Sequence, residues 1–153
     1  AFERALAIRP DKTNTRQALG EAYAYLGFQH FQQQRYEPAA EAYQQTLAIN
    51  PNNRLARMGL GWLFYYQGRW REAIAQYRMV PDRQNDIHAQ FGLALAILAT
   101  GDTSAARAAY AQGVRQFGAE QARQIGAVHD LDALSEKSEN ATTARDIRTT
   151  YWP

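Results

Sequence analysis

Three histidines, His30, His88 and His129, are the only imidazoles in the chain, and cysteine is absent. Imidazole and thiolate are the side chains that most readily hold a transition metal or act as base and nucleophile near neutral pH. These three histidines are not spaced to act together. No two stand three or four residues apart, and there is no His-Glu-x-x-His. The missing cysteines remove disulfides, thiolate metal sites and cysteine nucleophiles at once. His129-Asp130 with Asp132 reads as a solvated helix face. Other carboxylates are scattered, with no pair that the sequence places in one apolar pocket. Gly59 and Gly61 flank Leu60 within a helical pattern rather than following a strand, so they read as packing glycines and not as a phosphate cradle. No catalytic residue, metal site or cofactor is expected, and the chain reads as a non-enzyme.

The elements that must carry whatever this chain does instead are marked by a repeat. Tyr43, Tyr77 and Tyr110 are separated by 34 and then 33 residues. Leu26-Gly27, Leu60-Gly61 and Leu93-Ala94 keep the same interval, as do Ala39, Ala73 and Ala106, and Gln34, Gly68 and Gly101. A period near 34 residues is that of stacked helix–turn–helix units. The apolar spacing predicts helices over about 13–34, 37–49, 54–67, 70–79, 86–100 and 103–117, with a capping residue at Asp102, Thr103 or Ser104. Pro81 comes four residues early and shortens the helix before it. Beyond Gly118 the interval fades. Ile125, Val128, Leu131 and Leu134 predict one amphipathic helix over about 119–135, and a short helix over about 141–149 leads to Tyr151-Trp152-Pro153.

The domain reading follows: residues 1–10 as the second half of a truncated unit, 11–53 as a unit with two extra turns in its first helix, 54–86 and 87–118 as further units, and 119–153 as capping helices and tail, all one continuous domain. Phe2 to Tyr43 is 41 residues, seven more than the interval, and seven residues are about two helical turns, so the inserted stretch keeps the same face inward. The chain opens in mid-unit, so upstream sequence is expected, and with it room for a targeting segment or a further domain.

Composition narrows the classes. The chain has 153 residues, 46% hydrophobic and 21% charged, with a formal net charge of +2. That is ordinary for a globular domain. No block of lysine or arginine tracks a phosphate backbone, so no nucleic-acid partner is expected. The longest apolar run, 91–99, is far short of the roughly 20 residues of a membrane span, so no direct membrane insertion is expected. A cytoplasmic location is favoured.

The repeat resembles the tetratricopeptide repeat family. Tyr23, Leu26, Gly27, Ala39, Tyr43 and Pro51 match its pattern in one unit; Leu60, Gly61, Phe64, Ala73 and Tyr77 in the next; Leu93, Ala94, Ile97, Ala106, Tyr110 and Gly113 in the third. Arg57, Gln90 and His30 depart from it. Abundant alanine with only two lysines fits a bacterial member. The resemblance implies an all-α fold, a right-handed α-solenoid of stacked antiparallel helix pairs with C-terminal capping helices.

It also implies a function, a protein–protein interaction scaffold, and a place for it, because first helices line the concave face in this family. The positions carried over as a peptide-binding groove are Phe28, Phe31, Met58, Trp62, Tyr65, Tyr66, His88, Phe91 and Leu95. An apolar, aromatic set of this size suits a peptide or helix with apolar anchors. The competing expectation is that part of the stripe is core, or is covered by the C-terminal helices. Family members that bind chaperones grip a terminal carboxylate with polar groove residues. Ala24, Phe28, Gly59, His88 and Gly92 occupy the matching positions, so no carboxylate clamp is expected. Other readings weighed are a substrate-recruiting or structural module of a larger enzyme or membrane-associated complex, and self-association, with Tyr151-Trp152-Pro153 docking in its own groove or a neighbour's.

Overall fold

The computed structural model describes residues 13–137 and 139–153. The expected half-unit over residues 1–10 lies outside them. Nine α-helices and no strand occur among the described residues: α1 (Thr13–Gln32), α2 (Tyr36–Ile49), α3 (Arg54–Tyr66), α4 (Trp70–Arg78), α5 (Ile87–Ala99), α6 (Thr103–Phe117), α7 (Ala119–Gln124), α8 (Ala127–Lys137) and α9 (Ala141–Tyr151). They form an all-α solenoid of antiparallel pairs, α1/α2, α3/α4, α5/α6 and α8/α9.

Short polar side chains start the helices. Asn53, Asp86 and Asp102 accept the backbone N–H of Ala56 (2.9 Å), Ala89 (3.1 Å) and Ala105 (3.0 Å), which satisfies one orphan donor at the head of α3, α5 and α6. The turns inside the first three pairs share one device. Gln34, Gly68 and Gly101, the residues that recur at the repeat interval, all have left-handed backbone, with φ of 58°, 73° and 87°. Two of the three are glycine, which enters that region without steric penalty. Pro81 follows a helix of only nine residues, and a single 3-10 turn, Arg83–Asn85, carries the chain on to α5.

The stacking rests on ring-in-slot packing. The Tyr43 ring lies between α1 and α3 where Gly27 and Gly59 leave room, and the Tyr77 ring between α3 and α5 where Gly61 and Gly92 do the same. A Cβ on Gly61 or Gly92 would stand 2.7 and 2.8 Å from the Tyr77 ring, closer than packed carbon atoms approach. Both rings are fully buried, and each joins a cluster of small and branched residues: Ala39, Leu60 and Leu63 around Tyr43; Ala73, Val80 and Leu93 around Tyr77.

Two of the three departures from the repeat pattern, Gln90 and Arg57, are absorbed by side-chain hydrogen bonds, whereas His30 Nδ1 is buried with no partner among the described residues. Buried Gln90 accepts from Arg83 and donates to the Ala109 carbonyl, each at 3.1 Å, and Arg57 donates to Gln76 Oε1 at 2.8 Å.

The C-terminal end differs from expectation in two ways. The single helix expected over 119–135 is two helices, because Gly126 takes φ 91° and ends the first, leaving α7 and α8 free to pack at separate angles. The tail docks neither in the groove nor outward. Trp152 is 1% exposed within the last core cluster, beside Ala122, Ala144 and Ile147, and its indole N–H donates to the Ala119 carbonyl at 2.6 Å. A buried indole needs that acceptor, and the first residue of α7 supplies it.

Candidate functional site

The first helices α1, α3, α5 and α8 adjoin one another along one wall of the stack. On α3, Met58, Trp62, Tyr65 and Tyr66 recur at helical spacing and so share a stripe. Three of these four remain accessible. Trp62 stacks on Tyr66 (centroids 6.0 Å apart, planes at 28°) and meets Tyr65 edge-on at 5.9 Å. Phe31 of α1 continues the patch at 6.1 Å from Tyr66. The structure thus brings Phe31, Trp62, Tyr65 and Tyr66 into one aromatic cluster, with Tyr66 60% exposed at its outer edge and Phe28 on α1 also reaching solvent.

The rest of the expected groove set is placed elsewhere. Met58, Phe91 and Leu95 are 7, 4 and 2% exposed and belong to the core, which corrects their assignment to an open groove. The reason is coverage of α5 from both sides. It lies between α3 and α8, and ten of its thirteen residues are buried. Phe91 turns away from the wall to meet the Tyr110 ring at 5.8 Å and fill the space over Gly113. Met58 packs with Tyr77, Ala89 and Leu93. His88 is exposed but stands apart from the aromatic cluster, at the head of α5 beside Arg54 and Asp86. There the Arg54 guanidinium pairs with Asp86. Burial pushes the Asp86 carboxyl up, but the hydrogen bonds from Arg54 and Ala89 N–H and the charges of Arg54 and His88 bring it below its ordinary range.

One residue of the site was read wrongly from sequence. Asp130 does not lie on a solvated face. His129 is exposed and Asp132 pairs with Arg148 at 3.3 Å, but Asp130 is half-buried. Its charge acts on the phenols of Tyr65, Tyr66, Tyr77 and Tyr110. Burial, with the Asp130 charge second, pushes Tyr65 up to about 12 and raises Tyr66 as well. Asp130 itself is pushed up to about 6 by burial, against a small opposing pull from His129. A signal was present in the sequence: Ala127, Leu131 and Leu134 mark the inward face of α8, and Asp130 falls at i+3 from the first and i−4 from the last.

Between the aromatic cluster and α8 the surface opens into a cleft of about 520 Å³. Tyr65, Tyr66, Trp70, Thr100, Leu134, Glu139 and Asn140 are among the residues that line it. The set holds mostly apolar and aromatic contact area. Among the described residues no group of three or more His, Asp or Glu could hold a metal ion, and no helix is long and apolar enough to cross a membrane.

Two family models, both described as tetratricopeptide repeat, match residues 30–90 and 65–122. Among solved structures, the chain is similar to the crystal structure of a thermophilic TPR protein in Thermus thermophilus, with a TM-score of 0.56 and 18% sequence identity. The match covers 98% of this chain and 84% of that one, and at such identity it is a likeness of fold.

Proposed function

The chain belongs to the tetratricopeptide repeat family, whose repeats are generally protein–protein interaction modules, and from that premise we propose that it is a scaffold that binds a peptide or helix along the wall of its first helices. The observation that supports this reading is the contiguous cluster of Phe31, Trp62, Tyr65 and Tyr66, with Tyr66 60% exposed beside a cleft of about 520 Å³. Large rings left in water lose free energy that a partner restores by covering them, at about 25 cal/mol per Å² of apolar surface. Aromatic anchors of this kind dominate the energetics of many interfaces.

The anchor set is smaller than the sequence suggested. Phe28, Phe31, Trp62, Tyr65 and Tyr66 remain as contact residues, and Met58, Phe91 and Leu95 are core. A terminal carboxylate is not the anchor in this reading, because Ala24 is buried and Gly59 and Gly92 lie under tyrosine rings.

Selection from a displayed random-peptide library tests the proposal. The parent chain should enrich peptides with apolar or aromatic residues at helical or alternate spacing. Trp62→Ala combined with Tyr66→Ala should lose them while melting cooperatively. Equal enrichment by the parent and a folded double variant would overturn it.

A further inference from the structure

The aromatic cleft offers hydrogen-bond donors that the fold does not use. Tyr65, Tyr66 and Trp70 line it, and the Trp62 ring stands against both tyrosine rings. Among the described residues no hydrogen bond engages the hydroxyl of Tyr65 or Tyr66, or the indole N–H of Trp62 or Trp70. The third tryptophan is the contrast, since Trp152 has its acceptor inside the fold. Tyr66 and Trp70 are 60 and 40% exposed, so a ligand can reach them. Other polar side chains of the cleft are already engaged: Thr100 donates to the Ile97 carbonyl at 2.7 Å, and the Asn140 amide to the Ala99 carbonyl at 3.4 Å. Each uncommitted donor therefore belongs to a flat apolar ring, and the matching ligand pairs apolar faces with hydrogen-bond acceptors.

We propose that the occupant of the groove is a proline-rich segment in the polyproline II conformation, flanked by a cationic residue. This rests on the reading of the wall as a peptide groove and names the chemistry of its occupant. Proline rings pack on aromatic faces, and the carbonyls of a polyproline II segment, which make no internal hydrogen bonds, accept from phenol O–H and indole N–H groups. Other occupants match the wall less well. A helix has spent its carbonyls on its own backbone, except in its last turn, and brings the uncommitted donors little to bond. An ordinary extended peptide brings acceptors but also one N–H per residue, and among the described residues there is no strand edge to receive them. Proline brings the carbonyl without the N–H, and its fixed φ lowers the entropy lost on docking. Glu139 adds the charge to be matched. It is the one charged residue among those that line the cleft, it is exposed, and it joins no ion pair among the described residues. A lysine or arginine next to the proline stretch complements it.

The test uses the whole chain and three capped peptide amides of equal length: heptaproline with lysine at each end, heptaproline with glutamine at each end, and a stapled apolar helix with lysine at each end. Binding is read from the tryptophan indole and tyrosine ring resonances, assigned by Trp62→Phe, Trp70→Phe and Tyr66→Phe. The lysine-flanked proline peptide should bind about tenfold more tightly than the helix, and about threefold more tightly than its glutamine counterpart. The threefold preference should vanish in Glu139→Gln. Tyr65→Phe combined with Tyr66→Phe keeps the rings and removes two donors. It should weaken the proline peptide about tenfold and leave the affinity for the helix unchanged, a difference that a loss of packing would not produce. Tighter or equal binding of the helix to the parent chain overturns the polyproline assignment and leaves the groove standing. Absence of any shift with all three peptides also overturns it, and the library selection then decides the groove by itself. Equal binding of the two proline peptides overturns the part given to Glu139. Should the double phenylalanine variant fail to fold, the ratio of proline peptide to helix on the parent chain decides alone.

Discussion

At the scale of single residues, Asp130 has a consequence for stability. Its ordinary value of 3.8 rises to about 6 in the fold through burial. The native chain therefore holds the proton more tightly than the unfolded one. This contribution is fully present below about pH 4, is lost as pH climbs through about 6, and is flat above that. Asp130→Asn removes the dependence. It should raise stability at pH 8 by on the order of 1 kcal/mol, after allowing for solvent at the rim of the site, and leave it unchanged at pH 4, measured by urea unfolding at both. A second residue bears a backbone cost. Gln34 sits at φ 58° where its two repeat-related positions have glycine. A side chain in that region costs roughly 1 kcal/mol, so Gln34→Gly should raise stability to urea by about that much, less the entropy glycine adds to the unfolded chain. Both features were partly legible beforehand. The interval already aligned Gln34 with Gly68 and Gly101. Asp130 was misread because its neighbours His129 and Asp132 are polar, and adjacency in sequence outweighed the i+3, i+4 stripe to which it belongs.

At the scale of helices, the regularity of the stack comes from tyrosine rings seated over glycines on two neighbouring helices at once. Gly59 is the tightest such seat, with no room for a Cβ beside the Tyr43 ring. Gly59→Ala should cost about 2 kcal/mol or more, because the ring can move only by parting α1 from α3, and thermal melting reads it. The C-terminal helices are integral to the stack by the same measure. Ala144, Ile147 and Trp152 are buried in one cluster with Tyr110 and Leu131. Truncation after Ser138 removes all three, should lower the melting temperature by many degrees, and exposes apolar surface that drives association on gel filtration. Helix number and pairing in the three central units were written in the interval, since each unit repeats one packing solution. The split between α7 and α8 was not. A glycine inside an apolar stripe reads as tolerated, and only tertiary packing decides that Gly126 adopts left-handed backbone. The destination of Trp152 was equally hidden, because its acceptor, the Ala119 carbonyl, lies 33 residues away.

At the scale of the whole molecule, the chain is a short stack in which each pair packs on the next, and its function follows from which wall stays open. The central pair spends most of its apolar surface on neighbours: α5 is buried almost throughout, and this removes Phe91 and Leu95 from the accessible set. The open aromatic area is concentrated on α1 and α3, and Leu134 of α8 lines the cleft beside it. Sequence indicated the wall but not how much of it the fold would cover, because burial on α5 depends on helices beyond the repeat. A photo-crosslinking amino acid placed at Tyr66, and separately at Gln45 on the exposed side of α2, gives the most direct test with a library-selected peptide. The expected result is a covalent adduct at position 66 that unlabelled peptide competes away, and none at position 45. Adducts at 45 alone, or equal yields at both, would contradict binding along the first-helix wall.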